Sequence, residues 1–289
     1  MVVLKIDGGL GNQLFLYNIY WILSHRYDVY FDVDAYNLPA NNGYRRFELY
    51  SFNTLALKMC IVADSFKKRI KYIFRNIWNK NKIKILSPKE KSILRTYAFC
   101  YETTSASLHE ISDNMYVTGF FQDSRFLSSD FLNSLSFKYD VKERLKVLAT
   151  EMINNKNSVS VHVRRGDYLT TPGYNVCTRE YYDRAIQYIT SKVSNPIFYI
   201  FSDDISWCIK NFVGMNYIFV TDELVSYLNS TIEDLYLMSC CNHSIMANST
   251  YSYWGGVIGC NPNRIIVMSS EWTDYGIFNY ERHGIIVKI

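Results

Sequence analysis

The 289-residue sequence lacks several features that would assign it quickly to a class of protein. Its seven cysteines are an odd number and form no C-x-x-C pair, so we expect neither a disulfide framework nor a zinc site. No run of about 18 apolar residues is present, which excludes a membrane-spanning helix. The N-terminal residues form no basic and apolar leader, and we therefore expect a cytoplasmic protein with reduced thiols.

Charge is also sparse, and neither sign dominates. The net charge is +4, charged residues make up 20% of the chain and hydrophobic residues 48%. This is the balance of a globular protein and not of a disordered segment. The small positive charge suits an anionic small substrate or a membrane surface, and it is too small to indicate a nucleic acid partner.

What the sequence does contain is an alternation of short apolar runs and helical patterns. Residues 2–6 form a short apolar run and are followed by the glycine-rich segment DGGLGN, a helical pattern and a second predicted strand at 28–34. From residue 159 onward the alternation is regular. It predicts parallel sheets covered by helices on both faces. We therefore predict an α/β protein with two Rossmann-like domains facing a cleft, residues 1–155 and 156–289.

Polar side chains follow the predicted strands of the second domain. The segment RRGD follows one strand, SDD follows the next, and NST precedes a helix farther along the chain. Because ligands of an open parallel sheet bind at the carboxyl ends of its strands, we expect these segments to line one edge. Arg164 and Arg165 offer forked donors for phosphate oxygens. Ser249 and Thr250 would form a second phosphate cradle where a helix begins.

The SDD segment supplies acceptors. Asp203 or Asp204 can accept hydrogen bonds from the N–H edge of a guanine base or from a ribose. Ser202 with these two aspartates is also what an ordinary helix N-terminus looks like. Together with two phosphate-binding segments, the acceptors favour a nucleotide-sugar ligand.

Three other patterns suggest different functions. Arg165-Gly166-Asp167 is the tripeptide of adhesion loops, so an RGD-displaying binding protein is one alternative. Gly9 and Gly11 followed by an acidic residue imitate the dinucleotide fingerprint of an NAD-dependent oxidoreductase, although Leu14 occupies the third glycine position. The D-x-D at residues 32–34 imitates a metal site, but it ends a predicted strand, so we expect a structural role for it.

Residues 66–84 combine an apolar helical stripe with eight Lys or Arg residues and no acidic residue. Such a helix could rest on anionic lipid at the inner face of a membrane. It could also pack on its own domain with a solvated basic face. Both alternatives stay open.

Four segments of the sequence resemble the inverting α-1,2-fucosyltransferase family, which uses GDP-fucose. They are GGLGNQLF at 8–15, GFFQDSRF at 119–126, HVRRGDY at 162–168 and DLYLMSCCNHSIMANSTYSYWGG at 234–256. The resemblance implies a GT-B-like fold with the donor held mainly by the C-terminal domain, with no metal and no cofactor needed. It implies transfer of L-fucose to the 2-hydroxyl of a terminal galactoside in oligosaccharide or surface-polysaccharide biosynthesis, on an acceptor that could be lipid-linked.

The resemblance also implies roles for individual residues. The first arginine of H-x-R contacts the β-phosphate in related enzymes and corresponds to Arg164, and the motif histidine, His162, would lie by the nucleotide. Ser249 would reach a phosphate, and Asn12 the diphosphate or the fucose. Some relatives carry an arginine where this chain has Gly9, so no role of that arginine transfers.

Two acidic roles are implied less directly. The acid that holds the guanosine corresponds to Asp203 or Asp204. Asp167 could be the general base for the acceptor hydroxyl, or a structural partner that orients the two neighbouring arginines. We therefore expect Arg164 and Asp167 to be the catalytic pair, with the role of Asp167 open.

Overall fold

The computed structural model has two compact α/β units. It describes residues 1–36, 46–54, 56–62, 83–98, 108–214, 216–225, 230–259, 261, 263–271 and 285–289. One unit comprises Met1–Gln122 with Phe126–Ser136, and the other comprises Asp123–Arg125 with Phe137–Ile289. The predicted division at 155/156 falls within the second unit, because the two helices that precede it pack against the helix Ser230–Cys240.

The first unit is built on a six-stranded sheet in which each strand pair is parallel. Its strands are β1 Val2–Lys5, β2 Val29–Asp32, β3 Met59–Ile61, β4 Ile83–Ile85, β5 Arg95–Ala98 and β6 Met115–Thr118. They lie in the order β4-β3-β2-β1-β6-β5. The chain therefore moves outward from β1 to β4 on one side, crosses to the opposite edge at β5, and then returns to place β6 beside β1.

The helices of the first unit follow from capping and burial. They are Leu10–Ser24, Pro88–Ser92 and Ser129–Ser134, with 3-10 turns at Asp34–Tyr36, Leu49–Ser51 and Leu108–Glu110. A further 3-10 turn, Ser124–Phe126, has its first two residues in the second unit and its last in the first. The helix Leu10–Ser24 is buried along most of its length because it fills the space against the sheet. The short helix Pro88–Ser92 begins with a capping box, in which Ser87 and Glu90 satisfy each other's backbone N–H groups.

The second unit is also built on a parallel six-stranded sheet. Its strands are β7 Ser158–Val163, β8 Ile197–Ser202, β9 Tyr217–Phe219, β10 His243–Ile245, β11 Ile265–Met268 and β12 Ile285–Lys288. The order β12-β11-β10-β7-β8-β9 is that of a Rossmann fold. Two parallel sheets confirm the predicted α/β class.

Helices surround this sheet. They are Tyr139–Arg144, Lys146–Asn154, Arg179–Lys192, Ile205–Asn211, Ser230–Cys240 and Thr250–Val257, with a 3-10 turn at Gly166–Leu169. Because β7 is central and covered on both faces, all six of its residues are buried, including the polar ones. The Ser158 hydroxyl donates to the Met152 carbonyl at 2.6 Å, and the Ser160 hydroxyl donates to the Ser244 hydroxyl at 3.0 Å.

Two sequence predictions concern membranes. No helix in the described part of the chain is long and apolar enough to cross a bilayer. The predicted basic helix at 66–84 lies outside the described residues, except that its last two positions begin strand β4, Ile83–Ile85. Residues 83 and 84 are therefore in a strand and not in a helix.

Candidate functional site

The second sheet has a topological switch point between β7 and β10. From β7 the chain builds β8 and β9 on one side, and it then crosses back to place β10 on the other side. The loops that follow β7 and β10 therefore leave in opposite directions and open a crevice at the carboxyl edge, where ligands of such sheets bind. The three polar segments named from the sequence follow β7, β8 and β10, which are neighbours in the sheet. Their expected meeting at one edge is thus observed.

Arg164 is the first residue after β7, and two carboxylates hold its guanidinium. Its Nη1 lies 2.8 Å from Asp203 Oδ2, and its Nη2 lies 2.5 Å from Asp167 Oδ1. The guanidinium also lies 5.2 Å from the centre of the Tyr168 ring. Because its side chain is 21% exposed, the charge is partly desolvated and can act strongly on a nearby anion.

Arg165 points to the neighbouring strand end as well. Its backbone N–H donates to Asp203 Oδ1 at 2.8 Å, and its Nε donates to Asp204 Oδ2 at 3.1 Å. The guanidinium lies 4.0 Å from the Trp207 ring. Asp204 also caps the helix Ile205–Asn211 by accepting from the Trp207 N–H at 3.1 Å. Arg165 and Asp204 therefore anchor this helix, and a contact of either with a donor stays a prediction.

His162 is buried at the end of β7. It is 7% exposed, and its ring centre lies 5.3 Å from that of Tyr251. Burial, with a smaller contribution from the nearby Arg164 charge, lowers the pKa of His162 from its ordinary 6.5 to about 3. Its Nδ1 atom has no hydrogen-bond partner within the described residues. His162 is thus a neutral imidazole with a ring nitrogen available for a hydrogen bond.

The loop after β10 ends in Ser249, which is buried at the N-cap position of the helix Thr250–Val257. The Ser249 side chain does not cap this helix and hydrogen-bonds the Tyr168 hydroxyl. Asn248 Nδ2 donates to the Tyr174 carbonyl at 2.8 Å. The two sides of the crevice are therefore joined by contacts from the segment that follows Arg164.

Sequence reasoning gave no role to Tyr168, Tyr174 or Asn248. The rings of Tyr168 and Tyr174 pack edge to face, with centres 5.1 Å apart. Burial raises the pKa of Tyr168, and the hydrogen bond from Ser249 opposes that rise. Tyr168 and Asn248 lie inside the motif segments and could have been named from them, whereas nothing in the sequence singles out Tyr174.

Asp167 lies in the 3-10 turn Gly166–Leu169 with a side chain that is 54% exposed. Its carboxylate pairs with Arg164, and its backbone carbonyl accepts from the Thr171 hydroxyl at 2.8 Å. This geometry is that of a structural partner for Arg164. The general-base role stays a prediction.

Asn12 belongs to the first unit, unlike the other predicted site residues. It lies in the first turn of the helix Leu10–Ser24, and its Oδ1 accepts from Gln122 Nε2 at 2.8 Å. Gly8 has a φ of +82°, and a Cβ there would lie 2.5 Å from Asn12 Nδ2. Glycine is required at position 8 because other residues are strained at this positive φ and because their Cβ would clash with Asn12.

The residues that imitate metal ligands make structural hydrogen bonds instead. Asp32 is buried and accepts from the Tyr116 hydroxyl at 2.8 Å, and burial raises its pKa. His243 follows the pair Cys240–Cys241 in the sequence and could suggest a metal ligand, but its Nδ1 accepts from the Ile265 N–H at 3.1 Å, so this histidine belongs to the core. Among the described residues no three His, Cys, Asp or Glu side chains form a group that could hold a metal ion.

Comparisons with known proteins find relatives over nearly the whole chain. Residues 1–279 match the model of Glycosyl transferase family 11. An O-antigen biosynthesis glycosyltransferase, WbnK of Escherichia coli, is 30% identical over 92% of this chain and 93% of its own. An alpha-1,2-colitosyltransferase of Escherichia coli is 28% identical over 94% and 92% of the two chains.

Solved structures show the same fold at low sequence identity. The fucosyltransferase NodZ from Bradyrhizobium is 14% identical, with a TM-score of 0.51 over 91% of this chain and 93% of its own. Another crystal of NodZ, an alpha-1,6-fucosyltransferase, was soaked with GDP-fucose; it is 14% identical over 88% and 91% of the chains, with a TM-score of 0.50. These likenesses confirm the predicted GT-B-like fold.

Proposed function

Since the chain belongs to glycosyltransferase family 11, we propose that it transfers L-fucose from GDP-fucose to the 2-hydroxyl of a terminal galactoside. The product would be α-1,2-linked and formed with inversion, and no metal ion would be needed. The 2-linkage is supported by the alpha-1,2-colitosyltransferase, to which this chain is similar over nearly its whole length. GDP-fucose is supported by the family resemblance of the H-x-R-R-G-D-Y segment.

One observation carries the proposal: Arg164 stands at the switch point with its guanidinium fixed by Asp167 and Asp203. In the reaction the acceptor oxygen attacks the anomeric carbon, the bond from that carbon to the diphosphate breaks, and the acceptor hydroxyl loses its proton. Negative charge builds on the leaving diphosphate, so a preorganised cation lowers the barrier most where that charge develops. The neutral His162 beside it can bind a nucleotide hydroxyl or N–H without adding charge.

The local charge balance explains how Arg164 can exchange partners. At the ends of β7 and β8 two arginines, Arg164 and Arg165, face three carboxylates, those of Asp167, Asp203 and Asp204. A diphosphate must therefore compete with a carboxylate for the Arg164 fork. Asp167 is the most exposed of the three, so it is the partner that we expect to give way.

Arginine and backbone N–H groups supply the charge stabilisation that a divalent ion supplies in other transferases. The helix Thr250–Val257 begins at the crevice with Ser249 before it. Its first N–H groups favour an anion by their orientation. Transfer should therefore be unchanged by EDTA, and loss of activity that Mg²⁺ or Mn²⁺ restores would contradict the metal-independent reaction.

The test is a transfer assay with the purified protein. GDP-fucose and a nucleotide-activated colitose are each offered with a panel of β-galactosides, and products are identified by mass spectrometry and linkage analysis. We expect a fucosylated product with an α-1,2 linkage. Transfer of colitose alone would overturn the donor and keep the reaction class, and a different linkage would overturn the acceptor position.

A further inference from the structure

The first turn of the helix Arg179–Lys192 carries two adjacent tyrosines whose hydroxyls reach both sides of the switch point. Each is 1% exposed. The Tyr181 hydroxyl donates to the Met246 carbonyl at 2.5 Å, and the Tyr182 hydroxyl donates to the His162 carbonyl at 3.1 Å. Met246 directly follows β10, and His162 is the penultimate residue of β7. One helix thus holds the ends of both strands that border the crevice.

The Tyr182 hydroxyl makes a second contact there, because it accepts a hydrogen bond from the backbone N–H of Arg164. The two groups that it joins, the His162 carbonyl and the Arg164 N–H, flank Val163. In a parallel sheet, a residue on the neighbouring strand forms hydrogen bonds with the carbonyl before, and the N–H after, the residue that it faces. The Tyr182 hydroxyl meets this same pair of groups around Val163. β10 ends at Ile245, which pairs with Val161, so β7 extends past it. The phenol hydroxyl therefore continues the ladder where the neighbouring strand has ended.

The Tyr181 hydroxyl contacts the other strand that borders the crevice, at the end of β10. By holding the Met246 carbonyl it fixes the start of the turn that leads to Ser249. That turn is tight, because the Ser249 N–H donates to the Ala247 carbonyl at 2.8 Å and the Ala247 N–H donates to the Ser252 hydroxyl at 2.9 Å. A phenylalanine at 181 or 182 would fill the same space and leave backbone groups without these partners.

We propose that Tyr182 and Tyr181 are positioning residues, which hold the backbone of Arg164 and of the Met246–Ser249 turn in the geometry that binds the diphosphate of the donor. The positioning of the backbone stands on the contacts alone, and its effect on transfer rests on the proposed function. Both hydroxyls remain protonated donors, since burial raises the pKa of each well above its ordinary value.

The test compares three hydroxyl deletions in the full chain: Tyr182→Phe, Tyr181→Phe and, as the matched control, Tyr199→Phe. Tyr199 is equally buried in β8 of the same unit, and its hydroxyl donates to Glu151 Oε1 at 2.9 Å, away from the strand ends. The first readout is hydrogen–deuterium exchange by mass spectrometry. We expect roughly tenfold faster exchange in peptides covering 162–168 for Tyr182→Phe and covering 246–250 for Tyr181→Phe, and no change in either region for the control.

The second readout is steady-state kinetics with GDP-fucose, measured together with the thermal unfolding midpoint. We expect all three variants to lose similar stability, while kcat/KM falls about tenfold in Tyr182→Phe and Tyr181→Phe and stays within twofold in Tyr199→Phe. Unchanged exchange at both strand ends, or equal kinetic losses in all three variants, would overturn the inference. If the wild-type protein transfers nothing from GDP-fucose, the proposed function fails, and the exchange experiment still decides whether the hydroxyls position the backbone.

Discussion

Arg164 and Asp203 are joined across neighbouring strand ends, with Nη1 of the arginine 2.8 Å from Oδ2 of the aspartate. β7 and β8 pair along their whole length, up to Val163 opposite Ser202, so the two residues that follow are brought together by the sheet register. The rigid part of the molecule thus fixes the direction of the guanidinium. This is the preorganisation that electrostatic catalysis requires.

Replacing Arg164 by alanine should lower kcat with GDP-fucose by about 10²–10³-fold, because the cation that faces the leaving diphosphate is removed. Arg164→Lys should be intermediate, since lysine keeps the charge and lacks the fork that meets two carboxylates at once. The measurement is a single-turnover transfer rate. Arg184→Ala, at an exposed position of the same unit, is the control and should be silent. Normal turnover in Arg164→Ala would remove the arginine from the mechanism.

Substitution of Asp203 should affect donor binding, whereas substitution of the neighbouring Asp204 should affect stability. Asp203 holds both the Arg164 guanidinium and the Arg165 N–H, so Asp203→Ala should raise the KM for GDP-fucose severalfold or more. Asp204 caps a helix, so Asp204→Ala should chiefly lower the free energy of unfolding, by about 1 kcal/mol. Donor KM and urea denaturation of both variants check this. The reverse pattern would place the donor on Asp204.

Part of this fold could be predicted because some of its elements are marked by patterns of a few consecutive residues. β7 follows directly from the alternation of valine with serine and histidine in Ser158–Val163, and the glycine-rich segment before Leu10–Ser24 marks the first β-to-α turn. Strands β3 to β5 could not be recognised, because they are short and no glycine-rich segment marks them as the segment DGGLGN marks the end of β1. β5 in addition forms an edge of its sheet and is mostly exposed, so it has no apolar pattern.

The sequence predicts which residues lie at the site, but it does not predict which of their side chains contact each other. Parallel topology puts the segments after β7, β8 and β10 at one edge, and their residue types then suggest phosphate and base binding. Which aspartate meets which arginine depends on side-chain directions that no spacing encodes. Tyr182 bonds a carbonyl 20 residues away, and Tyr181 one 65 residues away. In the sequence both tyrosines look like ordinary core positions of an amphipathic helix.

Acid should destabilise the protein partly through His162. Its pKa is about 3 in the folded protein and near 6.5 in the unfolded chain. Between these values the unfolded chain binds a proton that the folded protein does not, so stability is fully present above pH 6.5 and is lost as the pH falls toward 3. From pH 6.5 to 4.5 this residue alone should cost on the order of 2 kcal/mol.

His162→Phe keeps a ring against Tyr251 and removes the titration. The free energy of unfolding, measured with urea at several pH values, should therefore fall less steeply below pH 6.5 in this variant than in the wild type. His25→Gln, which replaces an exposed histidine, should follow the wild-type curve. Parallel curves for His162→Phe and the wild type would mean that His162 is accessible to protons in the folded state.

The role of Asp167 can be decided by measuring both the kcat and the pH–rate profile of its variants. The half-exposed carboxylate pairs with Arg164, so we predict that it orients the arginine and yields to the donor, without taking a proton from the acceptor. Asp167→Asn can still accept a hydrogen bond from Arg164 and cannot act as a base. Its kcat should stay within about fivefold of the wild type, and the shape of its pH–rate profile should not change, because the loss of a general base costs about 10²–10⁴-fold.

Asp167→Ala removes the hydrogen-bond acceptor as well and serves as the comparison. If Asp167 orients Arg164, alanine should reduce the rate more than asparagine does, since only alanine frees the guanidinium from this side. If Asp167 is the base, both variants should lose activity to the same large extent, and the acidic limb of the wild-type profile should disappear in both. Equal and large losses would therefore assign the proton transfer to Asp167 and leave the orientation of Arg164 to Asp203 alone.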